Sequence, residues 1–173
     1  MEVEKAILAR RSVRSYRNKD VSRDLIEDIM DSVRMAPSAS NRQDWRFVVV
    51  DQKSLKDKLF QLAGRQQFVQ EAPVVIAGVS TDPGDLMTCG ISAGIVDVSI
   101  ALDHLTLRAA EEGLGTCWIG AFEQAATKEL LEIPGDCEIV SLMTLGYPEK
   151  ELGEISKQRH GLEEIVSYNS FSN

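Results

Sequence analysis

The chain predicts a layered α/β-type domain wrapped around one buried helix, and three features carry that prediction. The first is the stretch from Ile91 to Gly113. Its apolar residues Ile91, Ile95, Val98, Leu102, Leu105 and Ala109 recur at steps of four, three, four, three and four, which is one continuous helical face. Small residues (Ala93, Gly94, Ser99 and Ala101) thin the remaining sides, so such a helix can be buried nearly all round. The second is a set of short β-branched runs, Trp45–Val50, Val74–Val79, Gly115–Gly120 and Glu138–Leu145, mostly separated by helical patterns. Alternation of that kind favours a parallel sheet. The third is length: 173 residues fit one domain and bury about 70% of the unfolded surface.

Composition narrows the function. Hydrophobic residues make up 43% and charged residues 27%, an ordinary globular profile. No apolar run reaches the roughly 20 residues of a membrane span, and Met-Glu-Val-Glu-Lys lacks the layout of a signal peptide. Cys89, Cys117 and Cys137 are odd in number and widely spaced, which fits reduced thiols in a cytoplasm. Neither His104 nor His160 lies at zinc-ligand spacing from them, so no metal is expected. A net charge of −8 argues against a nucleic-acid partner. Arg10, Arg11, Arg14 and Arg17 nevertheless crowd into one short segment of this acidic chain. A local anion would explain the concentration, and so would a solvated basic face.

In order along the chain, Glu2 to Ala9 reads as a short helix with Val3, Ile7 and Ala6 inward, running into Arg10-Arg-Ser-Val-Arg14. Guanidinium forks and a serine hydroxyl suit phosphate. Ser22 is a good N-cap for a helix whose inner face is Leu25, Ile26, Ile29, Met30 and Val33, stopped at Ala36-Pro37. A small polar loop, Pro37-Ser-Ala-Ser-Asn-Arg-Gln-Asp44, leads into Trp45–Val50, apolar enough to expect a central strand. Ser54 opens a helix that closes near Gly64. Gln66 to Val69 leads through Ala72-Pro73 into the second strand, and Asp82-Pro-Gly-Asp85 turns the chain toward the long helix, expected to begin near Thr88. Gly113 offers the left-handed cap that ends it. Gly120 closes the following strand with bare backbone, suited to a flat ligand or simply to a turn. Glu123 to Leu131 is a short helix, and Glu138 to Leu145 the last strand. The tail carries Lys157-Gln-Arg159 and a Leu162, Ile165, Val166 patch, which suits packing on a partner.

Two familiar motifs fail on context and a third is absent. Gly90-Ile-Ser-Ala-Gly94 has the spacing of a serine-hydrolase elbow, with Asp136 and His160 in chain order, but no strand precedes Ser92. Gly113-Leu-Gly115 follows a helix and opens a strand, the reverse of a dinucleotide fingerprint. No P-loop sequence is present. Cys117 beside Trp118 reads as a small buried hydrophobe.

Taken together the pieces resemble the nitroreductase family of FMN-dependent oxidoreductases. Arg10-Arg-Ser-Val-Arg14 is similar to the family's opening phosphate signature. Ala36-Pro-Ser-Ala-Ser-Asn41 with Gln43 and Trp45 resembles its flavin loop, and Gly113-Leu-Gly-Thr-Cys-Trp-Ile-Gly-Ala-Phe122 its strand beneath the isoalloxazine. Leu145-Gly-Tyr-Pro148 and the Lys157-x-Arg159 tail match as well, so the likeness spans nearly the whole chain in order.

The resemblance implies an α+β fold, three-layered, with a mainly antiparallel central sheet around the buried long helix, in an intertwined homodimer. It implies one domain over 1–173, whose tail from about 150 packs on the partner subunit. It also implies two FMN molecules at the interface, NADH or NADPH as electron donor, and a small-molecule acceptor such as a nitroaromatic, a quinone or another flavin. By position, Arg10, Ser12, Arg14, Lys157 and Arg159 would hold the phosphate and ribityl chain, with Arg11 adjacent. Pro37, Ser38, Ala39 and Asn41 would reach the flavin of the other subunit. Trp118, Ile119 and Gly120 would line the ring, and Gln66 its pyrimidine edge. No catalytic side chain is implied. Two departures stand out: Asp44 occupies a position where the family often has proline, and the stretch from Thr81 to Cys89 is short for a substrate lid.

Overall fold

The computed structural model describes residues 2–150 and 159–171. Among these, seven α-helices and four strands follow in the order α1 (Val3–Ala9), α2 (Arg23–Arg34), β1 (Trp45–Val50), α3 (Lys53–Leu62), α4 (Gln67–Glu71), β2 (Val74–Ser80), α5 (Ala93–Glu111), β3 (Gly115–Ile119), α6 (Gln124–Leu130), β4 (Glu138–Gly146) and α7 (Leu162–Ile165). The strands form one sheet ordered β1-β2-β4-β3, and every pairing is antiparallel. This corrects the parallel sheet that alternation alone favours, and agrees with the antiparallel arrangement that the family likeness implies. β1 is also an edge strand rather than a central one, with Arg46 and Val49 exposed.

Helices cover both faces of the sheet. On one side α2 and α5 enclose Ile26, Ile29, Val33, Val98, Leu102 and Leu105 against Ile76, Met143 and Leu145. On the other, Leu59, Val69 and the partly buried Leu130 close over Val75, Ala77, Ile119, Ile139 and Leu142. The seat of α5 is Gly78 in β2. A Cβ there would meet Leu102 Cδ1 at 2.7 Å, so bare backbone lets the helix lie directly on the strand. Each fully buried Leu or Val on that face contributes about 1.5–3 kcal/mol.

The ends of α5 differ from the sequence expectation at one end only. Gly113 has φ of 71° just past the C-terminus, as the cap requires. The N-terminus comes later than Thr88, at Ser92, whose hydroxyl accepts from Ile95 N at 3.5 Å. Residues before it form a tight hairpin instead, with Met87 N donating to Ile91 O at 2.9 Å and Gly90 at φ of 84°. Ile91 therefore precedes the helix, and Ile95 lies in a first turn seated at the last residue of β2, Ser80. Both are exposed, at 56% and 44%. A similar reversal affects α1, where Ala6 is buried while Val3 and Ile7 face outward. Ser22 caps α2 as expected, accepting from Leu25 N at 3.3 Å. Gln52, not Ser54, stands at the N-cap of α3, and α4 is a helix the sequence reading did not foresee.

No helix among the described residues is long and apolar enough to cross a membrane. No cluster of His, Cys, Asp and Glu among them could hold a metal ion.

Candidate functional site

The arginine segment is drawn onto the sheet by main-chain pairing. Val13 N donates to Thr116 O at 2.8 Å, and Ser12 bridges Thr116 in parallel sense, so residues 12–13 run along the free edge of β3. Three residues on, the chain crosses to the end of β4: Arg17 N donates to Tyr147 O at 2.9 Å and Glu149 N to Ser15 O at 3.0 Å. Ser15 Oγ also bonds Glu149, and Arg17 Nε donates to Pro148 O at 2.9 Å. Small residues allow this approach. A Cβ on Gly115 would stand 2.4 Å from Val13 Cγ2, and one on Gly146 only 3.0 Å from Tyr16 Cδ1.

Beneath the segment, Tyr16 is buried. Its hydroxyl donates to Val13 O at 3.0 Å and meets Thr144 Oγ1 at 2.7 Å. Burial pushes the phenol pKa up, against the opposing pull of Thr144. Burial likewise raises the Cys117 thiol, while the Arg14 charge and a hydrogen bond from Ser12 favour its thiolate. Ser12, Arg14 and Cys117 are thus neighbours, with Arg14 and Ser12 exposed above a neutral, buried floor. Neither Arg10 nor Arg14 forms an ion pair with a carboxylate among the described residues. Arg11 is half-buried beside them.

The same strand carries the other predicted group. Trp118 is 37% exposed, Ile119 is buried with its carbonyl accepting from Ser141 Oγ at 3.1 Å, and Gly120 is exposed just past the strand. A Cβ on Gly120 would meet nothing within 4 Å, so the protomer's own packing does not demand glycine there. From Thr116 to Gly120 is four residues, about 13 Å along a strand. Gln66 stands near that far end: Glu123 N donates to Leu62 O at 3.0 Å, and an added Cβ on Gly64 would lie 4.0 Å from Ala121 O. Gln66 itself spends its amide on Ala63 O at 3.0 Å.

The loop after α2 lies at the same end of the sheet as Gly120 but on the opposite edge, before β1. Three strand spacings, about 14 Å, separate the two edges. Ser38 precedes a 3-10 turn at Ala39–Asn41, and Ser40, Asn41 and Gln43 all have left-handed backbone, at φ of 51°, 55° and 59°. Each such residue costs on the order of 1 kcal/mol for an L side chain. Local bonds offset part of this: Gln43 N donates to Ser38 Oγ at 3.1 Å, and Gln43 Nε2 reaches Asn41 O at 3.2 Å. Pro37 and Asn41 are exposed, and Ser38 and Ala39 half-buried.

Two holds on this loop escaped the sequence reading. Asp44, which stands where the family often has proline, shares Arg42 with Asp85; Arg42 Nε lies 2.9 Å from Asp44 Oδ2. Thr81 N donates to Asp44 O at 3.0 Å, so the loop's exit is fixed without proline. Its entrance is held by Asp97 of α5, which accepts the Ala39 amide. The signal for Asp97 was available: a carboxylate between Val96 and Val98 on a helix expected to be buried all round. Ser92 is accounted for as the cap of α5, and its hydroxyl donates to Pro83 O at 3.0 Å. Arg159 is exposed at the start of the last described stretch, and Lys157 lies outside the described residues.

The nitroreductase family model matches residues 7–147. An Archaeoglobus fulgidus protein provisionally named NADH dehydrogenase/NAD(P)H nitroreductase is 33% identical over 151 residues, covering 85% of this chain and 86% of that protein. The Bacillus subtilis protein named FMN reductase [NAD(P)H] is 33% identical over 164 residues, covering 85% of this chain and 66% of the relative. Among solved structures, a nitroreductase family protein from Clostridium difficile superposes with a TM-score of 0.86 at 29% identity, over 99% of each chain. The paired arginine segment, the bare strand end and the match over most of the chain lead to one assignment: this chain belongs to the nitroreductase family.

Proposed function

We propose that the protein is an FMN-dependent oxidoreductase that uses NADH or NADPH to reduce small electrophilic acceptors, nitroaromatics, quinones or flavins, as a cytoplasmic homodimer. The observation that carries this reading is the pairing of Ser12 and Val13 with Thr116. It sets Arg10 and Arg14, which pair with no carboxylate among the described residues, at one end of β3 and bare backbone at the other.

The residues fit FMN. A phosphate dianion takes charge-assisted hydrogen bonds from guanidinium and hydroxyl donors, and Arg10, Ser12 and Arg14 supply both kinds. The acidic chain offers no second basic cluster of that density for an adenine nucleotide's further phosphate, which favours FMN over FAD. About 13 Å of strand gives a ribityl chain room to run from Ser12 toward Gly120. Bound there, FMN supplies hydride acceptance from the nicotinamide and its delivery to the acceptor, in a ping-pong cycle. Trp118 and Ile119 bound the ring position, and Gly120 leaves its backbone open to a flat group. The Cys117 thiol, kept neutral by burial, adds no charge beneath the phosphate. Lys157 and Arg159 complete the phosphate cluster in this reading. Pro37, Ser38, Ala39 and Asn41 lie across the sheet from Gly120, so they serve the ring bound by the other subunit, and a flavin site then needs both protomers. The short 81–92 hairpin leaves the acceptor side open.

The test is direct. Purified protein loaded with FMN should lose its visible flavin absorption on anaerobic addition of NADH or NADPH and regain it with a quinone. A protein that holds flavin but never bleaches with either nucleotide is a flavin-storage protein, and contradicts the enzymatic reading.

A further inference from the structure

Asp97 lies in the second turn of α5 and is 6% exposed. Its oxygens stand 3.1 and 3.0 Å from the backbone nitrogen of Ala39, a residue 58 positions away. A buried carboxylate is costly unless hydrogen bonds compensate it, and this amide is the donor it meets. Ala39 opens the turn in which Ser40, Asn41 and Gln43 take left-handed angles. Backbone of that kind persists where surrounding groups over-determine it. At the loop's exit the hold is the partly exposed Arg42 with Asp44 and Asp85. At its entrance the hold is Asp97, inside the core face of the central helix.

We infer that Asp97 is a positioning residue for the cofactor. By fixing the Ala39 amide it sets where Ser38, Ala39 and Asn41 meet the flavin ring, and it acts only through that loop. The inference rests on the reading that this loop reaches the ring of the partner's site, so Asp97 of one protomer orders a flavin held by the other.

The test uses Asp97→Ala and Asp97→Asn in the full-length protein. Three quantities are read: exchange of the Ala39 amide in flavin-free protein, affinity for FMN and for riboflavin, and the visible circular dichroism of the bound flavin. Asp97→Ala should speed Ala39 exchange and weaken FMN and riboflavin by the same factor, roughly tenfold or more, because ring contact and not phosphate is lost. The visible dichroism should change with it, which a general loss of stability does not produce. Asp97→Asn keeps one oxygen able to accept, so it should show the same pattern more weakly, and it carries the test if the alanine variant does not fold. Unchanged Ala39 exchange, or flavin affinities and dichroism matching wild type, overturns the inference while leaving the proposed function intact. A wild-type protein that takes up neither flavin overturns both.

Discussion

Tyr16 shows how one side chain couples the arginine segment to the sheet. Its hydroxyl joins Val13 O above to Thr144 Oγ1 below, and its ring leans on Gly146. The folded state binds the phenolic proton more tightly than the unfolded chain, whose pKa is near 10.0. Stability from this group is therefore whole below about pH 10 and is lost as pH rises through the higher folded value. Tyr16→Phe should cost about 1–3 kcal/mol near neutrality, since it leaves buried partners unmatched. It should also flatten the alkaline fall in stability relative to wild type. Equal slopes above pH 10 in urea unfolding would show that the phenol does not titrate with folding. At this scale the sequence was partly legible. Arg10, Ser12 and Arg14 stood out by type and spacing, because cations are scarce in a chain of net charge −8. What Tyr16, Asp97 and Asp44 bond was not legible, because Thr144, Ala39 and Thr81 are brought to them by tertiary placement across long sequence separation.

Among the elements, β3 is the one on which the proposed site is strung, and Gly115 is its most constrained point. Gly115→Ala would push a Cβ to 2.4 Å from Val13 Cγ2. Overpacking of this sort costs about 1–3 kcal/mol. The arginine segment must move away from the strand, so FMN affinity should fall along with stability. Adding Val13→Ala should recover part of both losses, since residues in contact are not additive. Strict additivity in the four-member cycle would mean that Val13 and Gly115 do not set each other's position. The strands were legible as elements: Trp45–Val50 is observed with its expected limits, and Val74–Ser80 and Glu138–Gly146 each run one residue beyond theirs. Their direction and order were not. Apolar content reports burial and says nothing about which neighbour a strand takes, so β1 was expected inside the sheet and lies at its edge. Periodicity likewise placed Ile91 and Ile95 on the buried face of α5, although the helix starts only at Ala93 and its first turn sits at the end of β2.

For the molecule as a whole, the apolar surface is the feature that a single protomer leaves unexplained. Val3, Ile7 and Leu8 of α1, Ile91 just before α5 and Ile95 in its first turn, and Leu162, Ile165, Tyr168 and Phe171 of the tail are all exposed. In the proposed homodimer the partner subunit would cover these side chains. Sedimentation equilibrium of the FMN-loaded protein should give twice the chain mass of 19.1 kDa, and a monomer at micromolar concentration would contradict a site shared between subunits. The central claim is that the arginine segment beside β3 holds the phosphate of FMN, and the most direct measurement of it is a pair of fluorescence titrations on wild type and Arg10→Ala, with FMN and with riboflavin. Losing one charge-assisted hydrogen bond to phosphate removes about 1.5–3 kcal/mol, so FMN should bind the variant roughly ten- to a hundredfold more weakly, while riboflavin binds both proteins alike. Equal weakening of the two ligands would contradict the assignment, because Arg10 would then be supporting the fold rather than gripping the phosphate.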